Sequence, residues 1–220
     1  MLDKINKQRI AIIGSALGGG ASQIIDALIG NDSSEPVAIF DSDLNVMNKS
    51  ILGVPVIGST DQVVTNFENG LFDAIIIAIG GDLKERSRLY DYFNEENIPF
   101  VNIIDKTAQI RSEAIIGNGN VLLSGVYLGP NVSIGDNCYF ITNTVINHHS
   151  RVGNHCYFST SVSLAGRVDV GDRVRFDTAS GAKANVSIGD DCVIPAGFIV
   201  TENMSNDISL KATPWPPVSR

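Results

Sequence analysis

One stretch of the sequence decides the fold: SIGDNCYFITNTVINHHSRVGNHC, residues 133–156. It begins and ends with related hexapeptides, SIGDNC and RVGNHC, in which an apolar residue precedes a glycine and cysteine is the last residue. Related hexapeptides recur at 18-residue intervals as DVGDRV, which ends in valine, and SIGDDC, at 169–174 and 187–192. A repeat this regular predicts that the four copies stack along one edge of the molecule, where glycine permits a tight corner.

A shorter period of six underlies the period of 18. Every sixth residue is apolar at fifteen consecutive positions, from Ile116 to Val200. An α-helix requires a period of 3.6 and an ordinary strand a period of 2. A period of six is typical of a parallel β-helix, in which each hexapeptide forms a short strand and a turn and three hexapeptides complete a coil. About five such coils fit between residues 114 and 203.

The three cysteines follow from this repeat. The residues four places after each apolar position form a second inward ladder of small side chains, which includes Cys138, Cys156 and Cys192. An odd number of cysteines argues against a disulfide framework, and their spacing is not that of zinc ligands. We therefore predict that they fill the core and that the protein binds no metal.

The N-terminal half follows a different rule. Apolar runs at Arg9–Ser15, Pro36–Asp43, Val54–Gly58, Asp73–Gly80 and Pro99–Asp105 alternate with helical patterns at 21–29, after Ser59, and at 82–97. Such alternation predicts a small α/β sheet of the Rossmann type.

Composition excludes several classes of protein. The net charge is −8, which argues against nucleic-acid binding. No apolar run reaches the roughly 18 residues that span a bilayer, and the N-terminus lacks signal-peptide architecture. We expect a cytoplasmic protein with no membrane insertion.

The three histidines lie within eight residues of one another, at 148, 149 and 155. The repeat places His148 two residues after the inward Ile146, at a corner and pointing outward, with Gly166 one coil above it. An imidazole beside a glycine-lined groove suits acyl transfer, which needs a base near pH 7 and N–H donors for the developing oxyanion. Solvated surface residues remain the alternative, above all for His149 and His155.

A second group of residues follows the first strand, in the loop GSALGGG at 14–20. Glycines that open a helix let a phosphate approach backbone N–H groups. With Asp41 and Gly80 at the ends of two other strands, they form the rim where such sheets bind nucleotides. The pattern is not a clean dinucleotide fingerprint, so NAD is a poor candidate.

The joint pattern of IIGSALGGG, AIFDSD, LGVPVIGS, IIIAIG and VINHH resembles the bacterial nucleotide-sugar acetyltransferases over nearly the whole chain. These comprise N-acetyltransferases of 4-amino sugars (bacillosamine and perosamine pathways) and related sialic acid O-acetyltransferases. The resemblance implies a Rossmann-like domain at 1–105 and a left-handed β-helix with a C-terminal cap at 106–220. It also implies a homotrimer, with acetyl-CoA bound between neighbouring β-helices.

The resemblance assigns roles to ten positions. It implies that His148 is the catalytic base. The positions implied for the nucleotide-sugar are Leu17, Gly18, Gly19, Asp41, Ser42 and Gly80, and those for acetyl-CoA are Tyr157, Gly166 and Thr178. Two residues depart from the pattern, because His149 replaces an acidic residue and Tyr157 replaces a second histidine.

Three functions are therefore open. The first is acetyl-CoA-dependent N-acetylation of a nucleotide-linked amino sugar, such as a 4-amino-4,6-dideoxy sugar, for surface glycan synthesis. The second is O-acetylation of a sugar, and the third is a non-catalytic β-helix that only binds. Five basic residues are further candidates for the phosphates of CoA: Arg151, Arg167, Arg173, Arg175 and Lys183.

Overall fold

The structure is a computed structural model that describes residues 7–15, 19–29 and 33–211. The expectations for Leu17 and Gly18, and for all but the first residues of the C-terminal cap, lie outside the described residues.

The N-terminal part is a five-stranded sheet with three α-helices. Its elements in chain order are β1 (Gln8–Ile13), α1 (Gly20–Leu28), β2 (Ser34–Phe40), β3 (Ser50–Ile51), β4 (Val54–Gly58), α2 (Val63–Glu68), β5 (Ala74–Ile77) and α3 (Leu83–Glu95). The strand order is β3-β4-β2-β1-β5, and only β3 runs antiparallel to its neighbour. Because β2 and β5 flank β1 on opposite sides, the winding reverses at β1, and the carboxyl ends of β1 and β5 define a crevice.

The central strand β1 is buried on both faces, which is why its sequence is a continuous apolar run. Ile10 and Ile12 pack on one side with α1, and Ala11 and Ile13 pack on the other side with α3. The predicted strands and helices of this half are confirmed except for Pro99–Asp105. There, Phe100 only bridges to Ile75, because the chain is already leaving the sheet.

The C-terminal part consists of two-residue parallel strands that form the three faces of a β-helix. The first face, which we call the docked face, holds β6 (Ile103–Ile104), β9 (Val121–Leu122), β12 (Tyr139–Phe140), β15 (Tyr157–Phe158), β18 (Arg175–Phe176) and β21 (Val193–Ile194). The second face holds β7 (Gln109–Ile110), β10 (Tyr127–Leu128), β13 (Val145–Ile146), β16 (Ser163–Leu164), β19 (Gly181–Ala182) and β22 (Ile199–Val200). The third face holds β8 (Ile115–Ile116), β11 (Ser133–Ile134), β14 (Arg151–Val152), β17 (Asp169–Val170) and β20 (Ser187–Ile188).

Each strand pairs with the strand 18 residues later, so the predicted stacking is confirmed. Every position of the six-residue series except Ile116 is buried. The second inward ladder is buried as well, and Cys138, Cys156 and Cys192 are free cysteines within it. The prediction that the cysteines fill the core is confirmed.

The β-helix begins two hexapeptides, or two thirds of a coil, earlier than predicted. The strand Ile103–Ile104 pairs with Val121–Leu122, and Gln109–Ile110 pairs with Tyr127–Leu128. Ile104 and Ile110 continue the six-residue series backwards, but they are 38% and 40% exposed because the end of the β-helix is uncovered. The expected five coils are therefore an underestimate.

Two corners of the β-helix are referred to below by name. The histidine edge joins the second face to the third and contains residues 111–114, 129–132, 147–150, 165–168, 183–186 and 201–204. The glycine edge joins the third face to the docked face and contains residues 117–120, 135–138, 153–156, 171–174 and 189–192. The docked face lies opposite the histidine edge.

The sheet packs on the docked face of the same chain. Val121, Leu123 and Tyr139 join the hydrophobic cluster of α1 and β1. The Tyr139 hydroxyl donates a hydrogen bond to the carbonyl of Gly20, at 3.3 Å. This packing sets the carboxyl ends of β1 and β5 against the β-helix.

Candidate active site

His148 lies on the histidine edge, two residues after β13, and its side chain is half-buried. Its ring rests against Gly166 of the next coil. A Cβ atom at Gly166 would come within 2.5 Å of His148 Cε1 and 2.6 Å of Nε2. The ring therefore occupies space that only glycine leaves open, as the repeat predicted.

Small residues continue above the imidazole. Gly166 is followed one coil higher by Ala184, so this line of the histidine edge has little side-chain bulk. Arg167 and Lys183 are exposed on the same edge, and Arg151 begins the next strand. None of these three cations forms an ion pair with another described residue. The result is a line of low side-chain bulk, flanked by exposed positive charge, that starts at His148 and is called the groove below.

The two other arginines proposed for phosphate binding are already paired. Arg173 forms two hydrogen bonds with Asp191, each of 2.8 Å. Arg175 binds Asp177 at 2.7 Å and donates to the carbonyl of Gly81 at 3.3 Å. Both lie at or beside the docked face, away from the histidine edge.

His155 has a structural environment. It is buried on the glycine edge, where its Nδ1 lies 2.9 Å from Asn137 Nδ2 and its ring packs edge-on to Tyr90. Because the amide nitrogen donates, Nδ1 accepts and the ring is held neutral. Burial lowers the pKa of His155 below its ordinary value of 6.5. This histidine stabilises the junction of the two halves and does not face the groove.

The environment of His155 predicts a pH-dependent stability. The unfolded chain binds a proton at a higher pH than the folded one, so this stabilisation is complete above pH 6.5 and is lost as the pH falls below that value. The loss is at most about 1.4 kcal/mol per pH unit. We expect His155→Asn, which keeps an acceptor and does not titrate, to be less stable than wild type at pH 7.5. Urea unfolding should show that this difference narrows by pH 5, and a constant difference would contradict the assignment.

The crevice at the carboxyl ends of β1 and β5 opens onto the docked face. A cavity of about 290 Å³ lies there, lined by Gly20, Gln23, Ala78, Gly80, Gly81, Tyr139, Ile141 and Tyr157. A Cβ atom at Gly80 would meet the ring of Tyr157 at 2.6 Å. Glycine at position 80 therefore lets the tyrosine ring close against the end of β5.

Asp41 shapes the rim of this crevice. Its carboxylate accepts hydrogen bonds from the backbone N–H of Ser15 at 2.5 Å, from the Ser15 hydroxyl, and from the N–H of Asp43 at 2.8 Å. The side chain predicted to read a nucleotide thus also holds the turn after β1. Its neighbour Ser42 is exposed, with its hydroxyl 2.7 Å from that of Thr60.

The predicted acetyl-CoA residues fall in different places. Tyr157 lies on the docked face, with the Arg175 guanidinium 5.9 Å from its ring centroid, and burial raises the pKa of its phenol. Thr178 lies at the corner between the docked and second faces, with its hydroxyl 3.0 Å from that of Ser159. Only Gly166 lies beside His148. Within one chain, the structure does not bring the histidine together with Tyr157 and the crevice.

Sequence reasoning missed Arg86, the largest fully buried side chain. This residue of α3 donates to the carbonyls of Ile77 at 2.7 Å, Ile79 at 2.9 Å and Asn137 at 2.8 Å. Its guanidinium lies 5.3 Å from the ring centroid of Tyr139, and burial lowers its pKa to about 10. Arg86 joins the end of β5 to the glycine edge and so fixes Gly80 against the β-helix.

Across 7–15, 19–29 and 33–211, no three His, Cys, Asp or Glu side chains are grouped to hold a metal ion. No helix in the same part of the chain is long and apolar enough to cross a membrane.

The solved structures that this fold matches are bacterial sugar N-acetyltransferases of the hexapeptide family. Within that class, the chain is similar to a GDP-perosamine N-acetyltransferase from Caulobacter crescentus. A structure of a histidine-to-alanine mutant of that enzyme, in complex with CoA and GDP-perosamine, matches with a TM-score of 0.84 and 28% identity and covers 91% of each chain. The structure determined at 1.0 Å resolution, with the same two ligands, gives a TM-score of 0.83 at 28% identity and covers 91% of this chain and 92% of that one.

The fold is shared more widely. The acetyltransferase domain of PglB from Neisseria gonorrhoeae matches with a TM-score of 0.86 at 20% identity, over 94% of this chain and 98% of that one. No protein-family model and no curated protein matches the chain. The structural neighbours are bacterial sugar N-acetyltransferases, as the sequence motifs indicated.

Proposed function

We propose that this protein transfers an acetyl group from acetyl-CoA to the amino group of a nucleotide-linked amino sugar, such as a 4-amino-4,6-dideoxy sugar, for surface glycan synthesis. One observation carries the proposal. The chain matches, over 91% of both chains, an enzyme whose structure holds CoA and GDP-perosamine together. The groove at His148 and the crevice at Gly80 offer a separate place for each of two such ligands.

Each half of the chain binds one of the two substrates. The Rossmann-like domain, predicted at 1–105, binds the nucleotide-sugar, with contacts at Leu17, Gly18, Gly19, Asp41, Ser42 and Gly80. The β-helix, predicted at 106–220 and beginning with the strand Ile103–Ile104, is left-handed and binds acetyl-CoA at Gly166, Tyr157 and Thr178. The groove fits CoA because Gly166 and Ala184 leave its floor open while Arg167 and Lys183 supply positive charge for phosphates.

The chemistry at His148 is proton removal. The sugar amine attacks the thioester carbonyl, the C–N bond forms, and the C–S bond breaks to release CoA as a thiol. His148 Nε2 takes a proton from the amine as it attacks and returns one to the departing sulfur. Backbone N–H groups of the β-helix corners are the available donors for the oxyanion.

The proposed homotrimer completes the site. His148 lies on the edge opposite the docked face, whereas the crevice with Gly80 and Tyr157 lies on the docked face. A sugar held in the crevice of one subunit therefore meets the histidine of a neighbour. In the proposed trimer, side-by-side packing of the three β-helices sets the histidine edge of each chain beside the crevice of the next.

The test is an acetylation assay with UDP-, GDP- and dTDP-linked 4-amino sugars, read by thiol release. We expect transfer to an amine and little transfer to the matched 4-hydroxy sugars. A hydroxyl depends more strongly on base assistance, and no carboxylate adjoins His148 in sequence. Thermal stabilisation by both CoA and one of the nucleotides should accompany activity. Preferred transfer to hydroxyls would favour an O-acetyltransferase, and no stabilisation by either ligand would contradict an enzyme.

A further inference from the structure

The histidine edge carries two imidazoles in contact. His148 Nδ1 lies 3.2 Å from His149 Nδ1, and the ring planes are nearly perpendicular, at 85°. Two ring nitrogens at this distance cannot both carry a proton, so one donates and the other accepts. The proton on one ring therefore fixes the tautomer of the other.

The two arrangements differ in what they leave for the substrate. If His148 Nδ1–H donates, His148 Nε2 holds a free lone pair and can act as a base. If His149 donates, the neutral His148 carries its proton on Nε2 and cannot take another there. Nε2 is among the His148 atoms closest to Gly166, so it lies at the start of the groove. Only the first arrangement presents a base to the groove.

The exposure of the two rings favours His149 as the acceptor. His149 is exposed and His148 is half-buried, so water can accept the Nε2–H of a His149 ring whose Nδ1 accepts from His148. Charges of both signs surround the pair. Arg167 lies one coil above His149, with its backbone N–H donating to the carbonyl of His148 at 3.0 Å, and Arg151 begins the following strand beside Asp169. The corner below, 129–132, carries no charge, and the remaining charged residues on this edge are Lys183 and Glu202 above and Arg111 and Glu113 two coils below.

We propose that His149 is a positioning residue that accepts the Nδ1 proton of His148 and so holds His148 in the tautomer that is basic at Nε2. This inference rests on the proposed function. When His148 Nε2 takes the amine proton, the cation keeps its Nδ1–H bond to His149. Nε2 then returns a proton to the departing sulfur, which restores the Nδ1–H tautomer of His148 for the next turnover. If the pair takes up a proton before the substrate binds, His148 Nε2 can no longer act as the base.

The tautomer can be read without any substrate. The chain has three histidines, so single variants assign every ring signal in a sample with ¹⁵N-labelled imidazoles. We expect neutral His148 to carry its proton on Nδ1 at pH 8, and His149→Ala to move it toward the Nε2–H form. A wild-type His148 already protonated on Nε2 would overturn the proposal, and this result does not depend on whether the enzyme acts on any sugar tested.

Activity gives an independent readout. We expect His149→Ala to lower kcat by about tenfold with little change in KM. His149→Gln retains an acceptor and should stay within about twofold at pH 8. His149→Glu should move the acid limb of the pH–kcat profile to higher pH, because a carboxylate favours the imidazolium. Asn131→Ala is the matched control, since Asn131 is exposed one coil below and shares the left-handed backbone, with φ 58° against 59°. An unchanged kcat and pH profile in all three His149 variants would contradict the proposal.

Discussion

Replacement of His148 by alanine is expected to lower kcat for acetyl transfer by about 10²–10⁴-fold. The imidazole adjoins the groove at Gly166, and histidine is the side-chain type suited to proton transfer near neutral pH. The fold should persist, because the side chain is half-buried on a corner of the β-helix. Steady-state kinetics, with CoA binding followed by thermal shift, measures the two effects separately.

The control for this prediction is subunit complementation. A Gly80→Val variant fills the crevice at Tyr157 and should also be inactive, while its histidine edge is intact. If each site joins the crevice of one subunit to His148 of the next, co-refolding equal amounts of the two variants restores about a quarter of the wild-type activity. Full activity of His148→Ala would refute the base assignment. Two inactive variants that never complement each other would place both groups in one chain.

The sequence predicted the β-helix because one physical requirement repeats. Each coil must bury one apolar residue per face, so the signal recurs every six residues. The start of the β-helix was not predicted, although Ile104 and Ile110 follow the same six-residue period. It follows directly on the sheet, where a run such as PFVNIID is equally typical of an α/β strand.

Only parts of the candidate site could be predicted from the sequence. The repeat alone positioned His148 beside Gly166, because the coil register relates residues 18 apart. The same register puts Tyr157 half a coil away, on the docked face, and no pattern in one chain shows which neighbour it meets. Arg86 gave no signal, since an arginine in a charged helix such as α3 is typically solvated. Its burial arises only when the sheet packs on the β-helix.

Glycines have different roles on the histidine edge and on the glycine edge. Gly166 leaves room for the side chain of His148. The glycines of the other edge leave room for backbone. There, each aspartate or asparagine accepts a backbone N–H from the coil below: Asp136 from Asn118 at 2.7 Å, Asn154 from Asp136 at 2.8 Å, and Asp172 from Asn154 at 2.7 Å. This ladder holds the coils at a fixed spacing.

A Gly153→Ala variant is therefore expected to lose about 3 kcal/mol of stability, at the upper end for overpacking. Its Cβ would lie 2.7 Å from the carbonyl carbon and oxygen of Gly171 and would also clash with the Asp172 carboxylate. Backbone cannot move aside as a side-chain end can, so the two coils must separate and the hydrogen bond from Asn154 to Asp172 must lengthen. The midpoint of thermal unfolding should fall by roughly 6–12 °C.

Gly81→Ala is the matched control for this change. A Cβ atom there meets nothing within 4 Å and the backbone φ is not positive, so the same methyl group should leave the midpoint nearly unchanged. The comparison separates a steric requirement of the glycine edge from a general cost of replacing glycine. If both variants unfolded at the wild-type temperature, the coil spacing would be adjustable and the aspartate–asparagine ladder would follow it. If the unfolding midpoints of both variants fell equally, the loss of stability would come from something other than contact with the next coil.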